Sequence, residues 1–294
     1  MYAIPFPPVS PEIFSIDLWG FTLALRWYAL AYLAGFLIGW RLIVTALRRP
    51  ALWPGERAPM EPAAVENLLA WVIVGVILGG RLGFVFFYHP GYYLANPGEI
   101  LRVWEGGMSF HGGLLGVAAA GFLFCRQHAI ATSALADAIT MVAPVGLFLG
   151  RIANFINAEL WGRPTEMPWG VLFPGAGGIC PPDWTGPCAR HPTQLYEAGL
   201  EGLLLGVVIW YFVTRRAALR FPWAITGTFF TGYGAARFLV EFWREPDPQF
   251  LALHPRGYVV ALGDVGVTMG QLLSLPMLAL GLALIALARA RGRQ

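Results

Sequence analysis

Lysine is absent from this chain of 294 residues, so arginine carries all of its basic side-chain charge. Charged residues of every kind make up only 13%, about half the share of a soluble domain. A soluble globule of this length needs more polar surface than that to cover itself. With 57% hydrophobic residues and a mean hydropathy of +0.59, the scarcity excludes a soluble globule and leaves an all-α polytopic membrane protein. The net charge is only +3, and no basic run with interleaved aromatics occurs, which excludes nucleic acid as a partner. There is no internal repeat and no low-complexity tract. The opening MYAIPFPPVSPE lacks a basic start before a short apolar core, so no cleavable signal peptide is expected. The histidines at 89, 111, 128, 191 and 254 are scattered, and HExxH, paired-cysteine and nucleotide-loop motifs are missing. No metal and no cofactor are therefore expected. Of the 3 cysteines, Cys125 ends an apolar segment, while Cys180 and Cys188 share the Gly/Pro-rich loop GICPPDWTGPC. Those two form a local disulfide if that loop faces an oxidising compartment, and are free thiols otherwise.

What is abundant is apolar length. A helix needs about 20 mostly apolar residues to cross a bilayer. Seven stretches qualify, at about 20–46, 66–88, 108–126, 134–153, 194–214, 223–243 and 267–288. Arginine placement orients them. With the N-terminus outside, the inner segments hold Arg48, Arg49, Arg57, Arg126, Arg215, Arg216, Arg220, Arg289, Arg291 and Arg293. The outer segments then hold only Arg102, Arg163, Arg190, Arg244 and Arg256. The expectation is one integral membrane domain over 1–294, N-terminus out and C-terminus in. The long loop at about 155–192 forms an irregular external cap rich in Gly, Pro and Trp.

Several charges fall where hydrocarbon should be. Arg26, Arg81, Arg151, Arg237, Asp137, Glu197, Glu201 and Glu241 all lie within or at the edge of the spans. Each costs roughly 2.5–3.5 kcal/mol at mid-bilayer on insertion scales, so such residues face a polar interior. Arg237 and Glu241 are four apart on one helical face, and Glu197 and Glu201 likewise, the latter pair requiring a cation opposite. Buried ion pairing accounts for any one of these residues. Two arginines towards the outer side, Arg151 and Arg237, suit a phosphate that guanidinium groups grip in bidentate fashion. His111, framed by glycines in WEGGMSFHGGLLG, is either a packing residue or a base that titrates near neutrality. Tyr28 in LRWYAL is either an interfacial anchor or part of the same site.

The stretch GRIANFINAELWG, residues 150–162, follows directly on the apolar MVAPVGLFL. It resembles, at every constrained position, the signature of the prolipoprotein diacylglyceryl transferases. LRWYAL, GGRLGFVFFY, WEGGMSFHGGLLG, RHPTQLYEAGLEG, ARFLVEFWREPD and GQLLSLPM resemble that family's blocks in order, so the likeness covers nearly the whole chain. The resemblance implies seven helices in the bacterial inner membrane with the N-terminus periplasmic and the C-terminus cytoplasmic. It implies transfer of the diacylglyceryl group of phosphatidylglycerol to the thiol of the lipobox cysteine in a prolipoprotein signal peptide, releasing glycerol-1-phosphate. By position it implies essential roles for Tyr28, His111, Arg151, Asn154, Glu159, Gly162, Arg237 and Glu241, with Asp137 and Glu201 at further polar positions.

That chemistry has two needs. A thiol with a pKa of about 8.5 must become thiolate, which points to His111 as the base, with an arginine-polarised hydroxyl or water, or Tyr28, as alternatives. A leaving phosphate must be stabilised as its charge grows, which points to Arg151 and Arg237. Asn154 and Asn157 then bond glycerol hydroxyls or orient the arginines, Glu159 fixes a guanidinium, and Gly162 lets the loop turn over the headgroup. A secondary transporter for an anionic solute, or a lipid-holding scaffold, would also suit interior arginines; the missing repeat counts against the transporter.

Overall fold

The structure, a computed structural model, describes residues 3–18, 21–182, 184–246, 248–251, 254, 256–262 and 265–291. The chain is mostly helical. Its long helices are α1 (Trp27–Leu47), α2 (Ala64–Phe87), α3 (Phe110–Gln127), α4 (Thr132–Ile156), α5 (Thr193–Arg216), α6 (Ala224–Val240) and α7 (Met269–Arg291). Among the described residues, α1, α2, α4, α5 and α7 are long and apolar enough to cross a membrane. At 18 and 17 residues, α3 and α6 are shorter. This is the architecture of a polytopic membrane protein, and its helices present side chains such as Leu33, Leu37, Val74, Leu78 and Leu282 outwards.

Strictly all-α it is not. Strands Ile4–Pro5 (β1) and Val171–Leu172 (β4) pair in parallel. Glu12–Leu18 (β2) and Phe21–Arg26 (β3) form an antiparallel hairpin, as do Tyr258–Leu262 (β5) and Val265–Thr268 (β6). The first helix therefore starts at Trp27, not near 20, because Phe21–Arg26 already spends its backbone groups in the β2–β3 ladder. Arg26 is accordingly no membrane charge: it is exposed and pairs with Glu12 at 3.1 Å.

Two devices set the helix packing. Gly75 and Gly79 of α2 face Gly112 and Gly116 of α3 so closely that an added Cβ would fall 2.0–2.7 Å from the opposite backbone. Such small-residue contact is a usual way to bring membrane helices together. Towards one end, Ile43, Leu47, Trp53, Leu68, Phe124, Ile209, Val213 and Ile225 form the apolar core. The opposite end gathers the C-termini of α4 and α6 and the N-termini of α1, α5 and α7. Over it, Phe6, Phe155, Phe173 and Trp161 build a small aromatic core beneath the 155–192 loop, with ring centroids 5.4–6.1 Å apart. Cys180 and Cys188 in that loop are disulfide-bonded, and Cys125 is buried.

Candidate active site

At the capped end the interior charges converge. Arg151 lies in the last turns of α4, and its Nε meets Glu197 Oε2 at 3.0 Å. Arg237 lies near the end of α6, and its NH1 meets the other oxygen, Glu197 Oε1, at 2.9 Å. Both guanidiniums thus close on one carboxylate. Arg237 NH2 also pairs with Glu241 Oε2 at 2.8 Å, the four-residue helical spacing anticipated in the sequence. Glu201 lies opposite Arg151 at 3.9 Å, wholly buried, supplying the arrangement that two like charges on one face require.

Helical irregularity makes this possible. Residues Ala198–Leu204 of α5 form a π-helical stretch, a feature that often marks functional positions. One residue beyond Glu201, Gly202 packs on α4 so tightly that a Cβ would lie 2.7 Å from Phe148 Cα. Only a glycine there lets α5 approach within ion-pair distance of Arg151, one turn further along α4.

The chain past α4 doubles back. Asn157 caps the helix, and Ala158 and Leu160 adopt left-handed backbone at φ 52° and 56°, a conformation that costs non-glycine residues energy and clusters at working sites. The turn returns Glu159 onto α4, where its Oε1 accepts from Asn154 Nδ2 at 2.8 Å and from Asn157 Nδ2 at 3.5 Å. Glu159 therefore holds the asparagines, and Asn154 stands between it and Arg151. Asn154 is the hub: its Nδ2 also donates to the Tyr28 hydroxyl, and its Oδ1 accepts from Arg151 NH1 at 3.4 Å. Tyr28 occupies the first turn of α1.

Gly162 owes its identity to space, not to a turn. A Cβ there would fall 2.5 Å from Trp243 O and 2.7 Å from Thr193 Cγ2. Its N–H donates to His191 O at 2.8 Å, and its backbone bridges to Arg244, stitching the cap to the end of α6. Arg190 secures the same cap with bonds to Gly162 O, Gly177 O and Ile179 O at 2.7–3.1 Å and a 3.3 Å ion pair to Glu245.

Two anticipated residues stand apart. Asp137 is 1% exposed and accepts from Trp223 N, Thr226 N and Thr226 Oγ1 at 2.7–2.8 Å. It supplies the N-cap that Trp223 cannot give α6, roughly 21 Å along α4 from Arg151. Arg81 is buried too, but its guanidinium binds the carbonyls of Glu99, Ile100 and Gly106 at 2.6–2.8 Å. His111 lies in the first turn of α3, and its side chain is outside the described residues. Glu197 was singled out by its spacing from Glu201 but not given a part in the site, where it proves central. Thr268 and Gln271, both buried beside Glu241, carry a capping signature that the sequence shows once the start of α7 is known.

From the Glu201 level an apolar cleft of about 720 Å³ runs between α5, α6 and α7, lined by Leu200, Leu204, Gly232, Ala236 and Leu239 and reaching Arg289 at the far end. A shallower one of about 520 Å³ lies on the other side of α5, against α1 and α4.

Comparison with known proteins agrees over the whole length. The sequence model described as prolipoprotein diacylglyceryl transferase matches residues 14–287. The phosphatidylglycerol--prolipoprotein diacylglyceryl transferase of Roseobacter denitrificans is 60% identical over 287 residues, covering 97% of this chain and 98% of that protein. The protein of the same name from Ruegeria pomeroyi is 60% identical over 286 residues, 97% of each chain. The one from Rhizobium meliloti is 48% identical over 286 residues, 97% of this chain and 94% of that protein. A match of this extent settles kinship: the chain belongs to the prolipoprotein diacylglyceryl transferase family.

Proposed function

We propose that this protein transfers the diacylglyceryl group of phosphatidylglycerol to prolipoproteins, as the names of its relatives describe, that the acceptor is the lipobox cysteine, and that the Arg151–Glu197–Arg237 cluster is where the transfer occurs. The observation that carries the reading is the pair of guanidiniums held on opposite oxygens of one carboxylate, at 3.0 and 2.9 Å. Two cations fixed by one small anion form a site for another: a phosphodiester oxygen offers the same geometry and the same charge.

In the reaction the cysteine sulfur forms a bond to the terminal glyceryl carbon. The bond from that carbon to the phosphate oxygen breaks, and glycerol-1-phosphate leaves with the electron pair. Charge grows on the phosphate as the bond lengthens, and preorganised donors such as Arg151 and Arg237 are worth several kcal/mol at that point. Asn154 holds Arg151, Glu159 holds Asn154 and Asn157, and Tyr28 meets Asn154; the two amides orient the headgroup hydroxyls. We assign removal of the thiol proton to His111, on its glycine-framed place in the sequence and the ordinary pKa of imidazole. The cleft along α5 and α6 takes the acyl chains from the side, since the donor is itself a membrane lipid.

The same reading makes the chain one integral membrane domain over 1–294. Its seven helices span the bacterial inner membrane, with a periplasmic N-terminus, a cytoplasmic C-terminus and the 155–192 loop as a periplasmic cap. The arginine distribution and the disulfide in that loop support it.

The test is direct. Purified protein is incubated with phosphatidylglycerol and a lipobox peptide. A mass gain of one diacylglyceryl unit on the thiol, with glycerol-1-phosphate released, is expected. Binding of lipid without that gain would identify a scaffold instead. Replacing His111 with glutamine is expected to slow the transfer strongly; near-parental turnover would remove it as the base.

A further inference from the structure

The GQLLSLPM block opens α7, yet none of its residues has a part in the chemistry above. We propose that Thr268, Gly270 and Gln271 are positioning residues for the transfer: they fix the carboxylate of Glu241, and Glu241 aims Arg237. The inference rests on the reading of Arg237 as a phosphate-holding group.

Thr268 and Gln271 form a reciprocal cap at the start of α7. Gln271 N donates to Thr268 Oγ1 at 3.3 Å, and Thr268 N donates to Gln271 Oε1 at 3.2 Å. A Thr-x-x-Gln cap of this kind uses the hydroxyl oxygen as an acceptor and leaves its proton free to go elsewhere. Here that proton goes to Glu241 Oε1, at 3.1 Å. The other oxygen of Glu241 holds Arg237 NH2 at 2.8 Å. A line of contacts thus runs from the α7 cap to the guanidinium. Thr268, Gln271 and Glu241 are 5%, 3% and 6% exposed, so water does not compete for it.

Gly270 completes the seat. A Cβ there would lie 2.5 Å from Glu241 Cδ and 2.6 Å from each carboxylate oxygen. The carboxylate rests on the first turn of α7, where a methyl group has no room. It is the end of a side chain, but one held on both oxygens, so a methyl group must displace it and with it Arg237.

A purely structural cap would show itself in stability alone: Gly270→Ala, crowded against the Glu241 carboxylate, would lower the thermal midpoint and leave turnover per folded molecule at the parental level. In the positioning role the same change costs turnover, since small misplacements of a catalytic group can cost about 100-fold.

The full-length protein is assayed in mixed micelles of detergent and phosphatidylglycerol with a lipobox peptide, reading kcat, KM and thermal midpoint. Gly270→Ala and Thr268→Val are expected to lower the midpoint and, beyond that, to lower kcat per folded molecule roughly 10- to 100-fold. Thr268→Ser, which keeps the hydroxyl, is expected to restore most of it. Parental kcat per folded molecule in Gly270→Ala, or no rescue of it by Thr268→Ser, would each overturn the proposal. Arg237→Ala separates the two levels. If it is inactive while Gly270→Ala is parental, the positioning is wrong and the clamp stands. If Arg237→Ala itself turns over normally, the clamp fails and nothing is left to position.

Discussion

Arg151 and Arg237, 86 positions apart in sequence and on different helices, meet on the two oxygens of Glu197, at 3.0 and 2.9 Å. Neither could be held there alone. An uncompensated guanidinium at that depth is costly, and removing one partner of a buried pair destabilises by about 3–5 kcal/mol. The arrangement also makes lysine a poor substitute. Lysine keeps the charge but not the planar fork, and Arg151 uses separate nitrogens for Glu197, Glu201 and Asn154. Arg151→Lys and Arg237→Lys are each expected to lower kcat/KM roughly 100-fold or more, on the order of 3 kcal/mol of transition-state stabilisation. Initial rates of peptide mass gain measure this. Parental rates in both would show that charge alone suffices.

Asp137 offers the opposite expectation. Its carboxylate caps α6 through Trp223 and Thr226 and touches none of the residues around Glu197. Asp137→Ala should therefore cost stability, about 1–2 kcal/mol for the cap alone, and more for the orphaned N–H groups. The folded fraction should keep its kcat. Measuring the thermal midpoint beside turnover per folded molecule decides it; a selective kcat loss at unchanged midpoint would return Asp137 to the site.

Much of this was legible in the sequence because the bilayer is an exacting solvent. Charges such as Glu197 and Arg237 within apolar runs need partners; helical spacing gave Arg237 its Glu241, but not the shared hold of Arg151 and Arg237 on Glu197. What was not legible depended on where helices stop. The start of α1 was placed too early because the apolar residues of Phe21–Arg26 suit a strand as well as a helix. Asp137 was placed in the site by the family resemblance; its partner, the start of α6, lies in a different helix and is not visible in sequence. The role of Glu159 was misjudged for a similar reason: the left-handed turns at Ala158 and Leu160 point it back to Asn154, and neither residue type announces such a turn.

The cap has its own pH dependence. His191 lies in the loop, its Nδ1 3.0 Å from the Tyr196 hydroxyl, and burial lowers its pKa from the usual value of 6.5. A histidine whose folded pKa is depressed binds its proton more readily in the unfolded chain. Its contribution is fully present above about 6.5 and is lost as pH falls through the folded value. The thermal midpoint should therefore drop between pH 7.5 and 5.5, and the His191→Gln variant should show a flatter profile over that window. Equal slopes would mean that other groups carry the dependence.

Arg81 illustrates a buried charge spent on backbone carbonyls. Its guanidinium spans the carbonyls of Glu99, Ile100 and Gly106 and lies 5.2 Å from the Tyr93 ring centroid. It ties the loop between α2 and α3 to the helix beneath, one cation serving several backbone acceptors. An ammonium has too compact a donor set to span them. Hydrogen bonds to a charged group are worth about 1.5–3 kcal/mol each, so Arg81→Lys should loosen the loop measurably. Arg102 lies in that segment and offers a site for trypsin. Cleavage after Arg102 in detergent is expected to accelerate by about tenfold or more in the variant, the factor that 1.4 kcal/mol of easier opening gives when opening is rapid relative to cleavage. Unchanged cleavage kinetics would show that Pro90–Ala95 and its contacts hold the loop without Arg81.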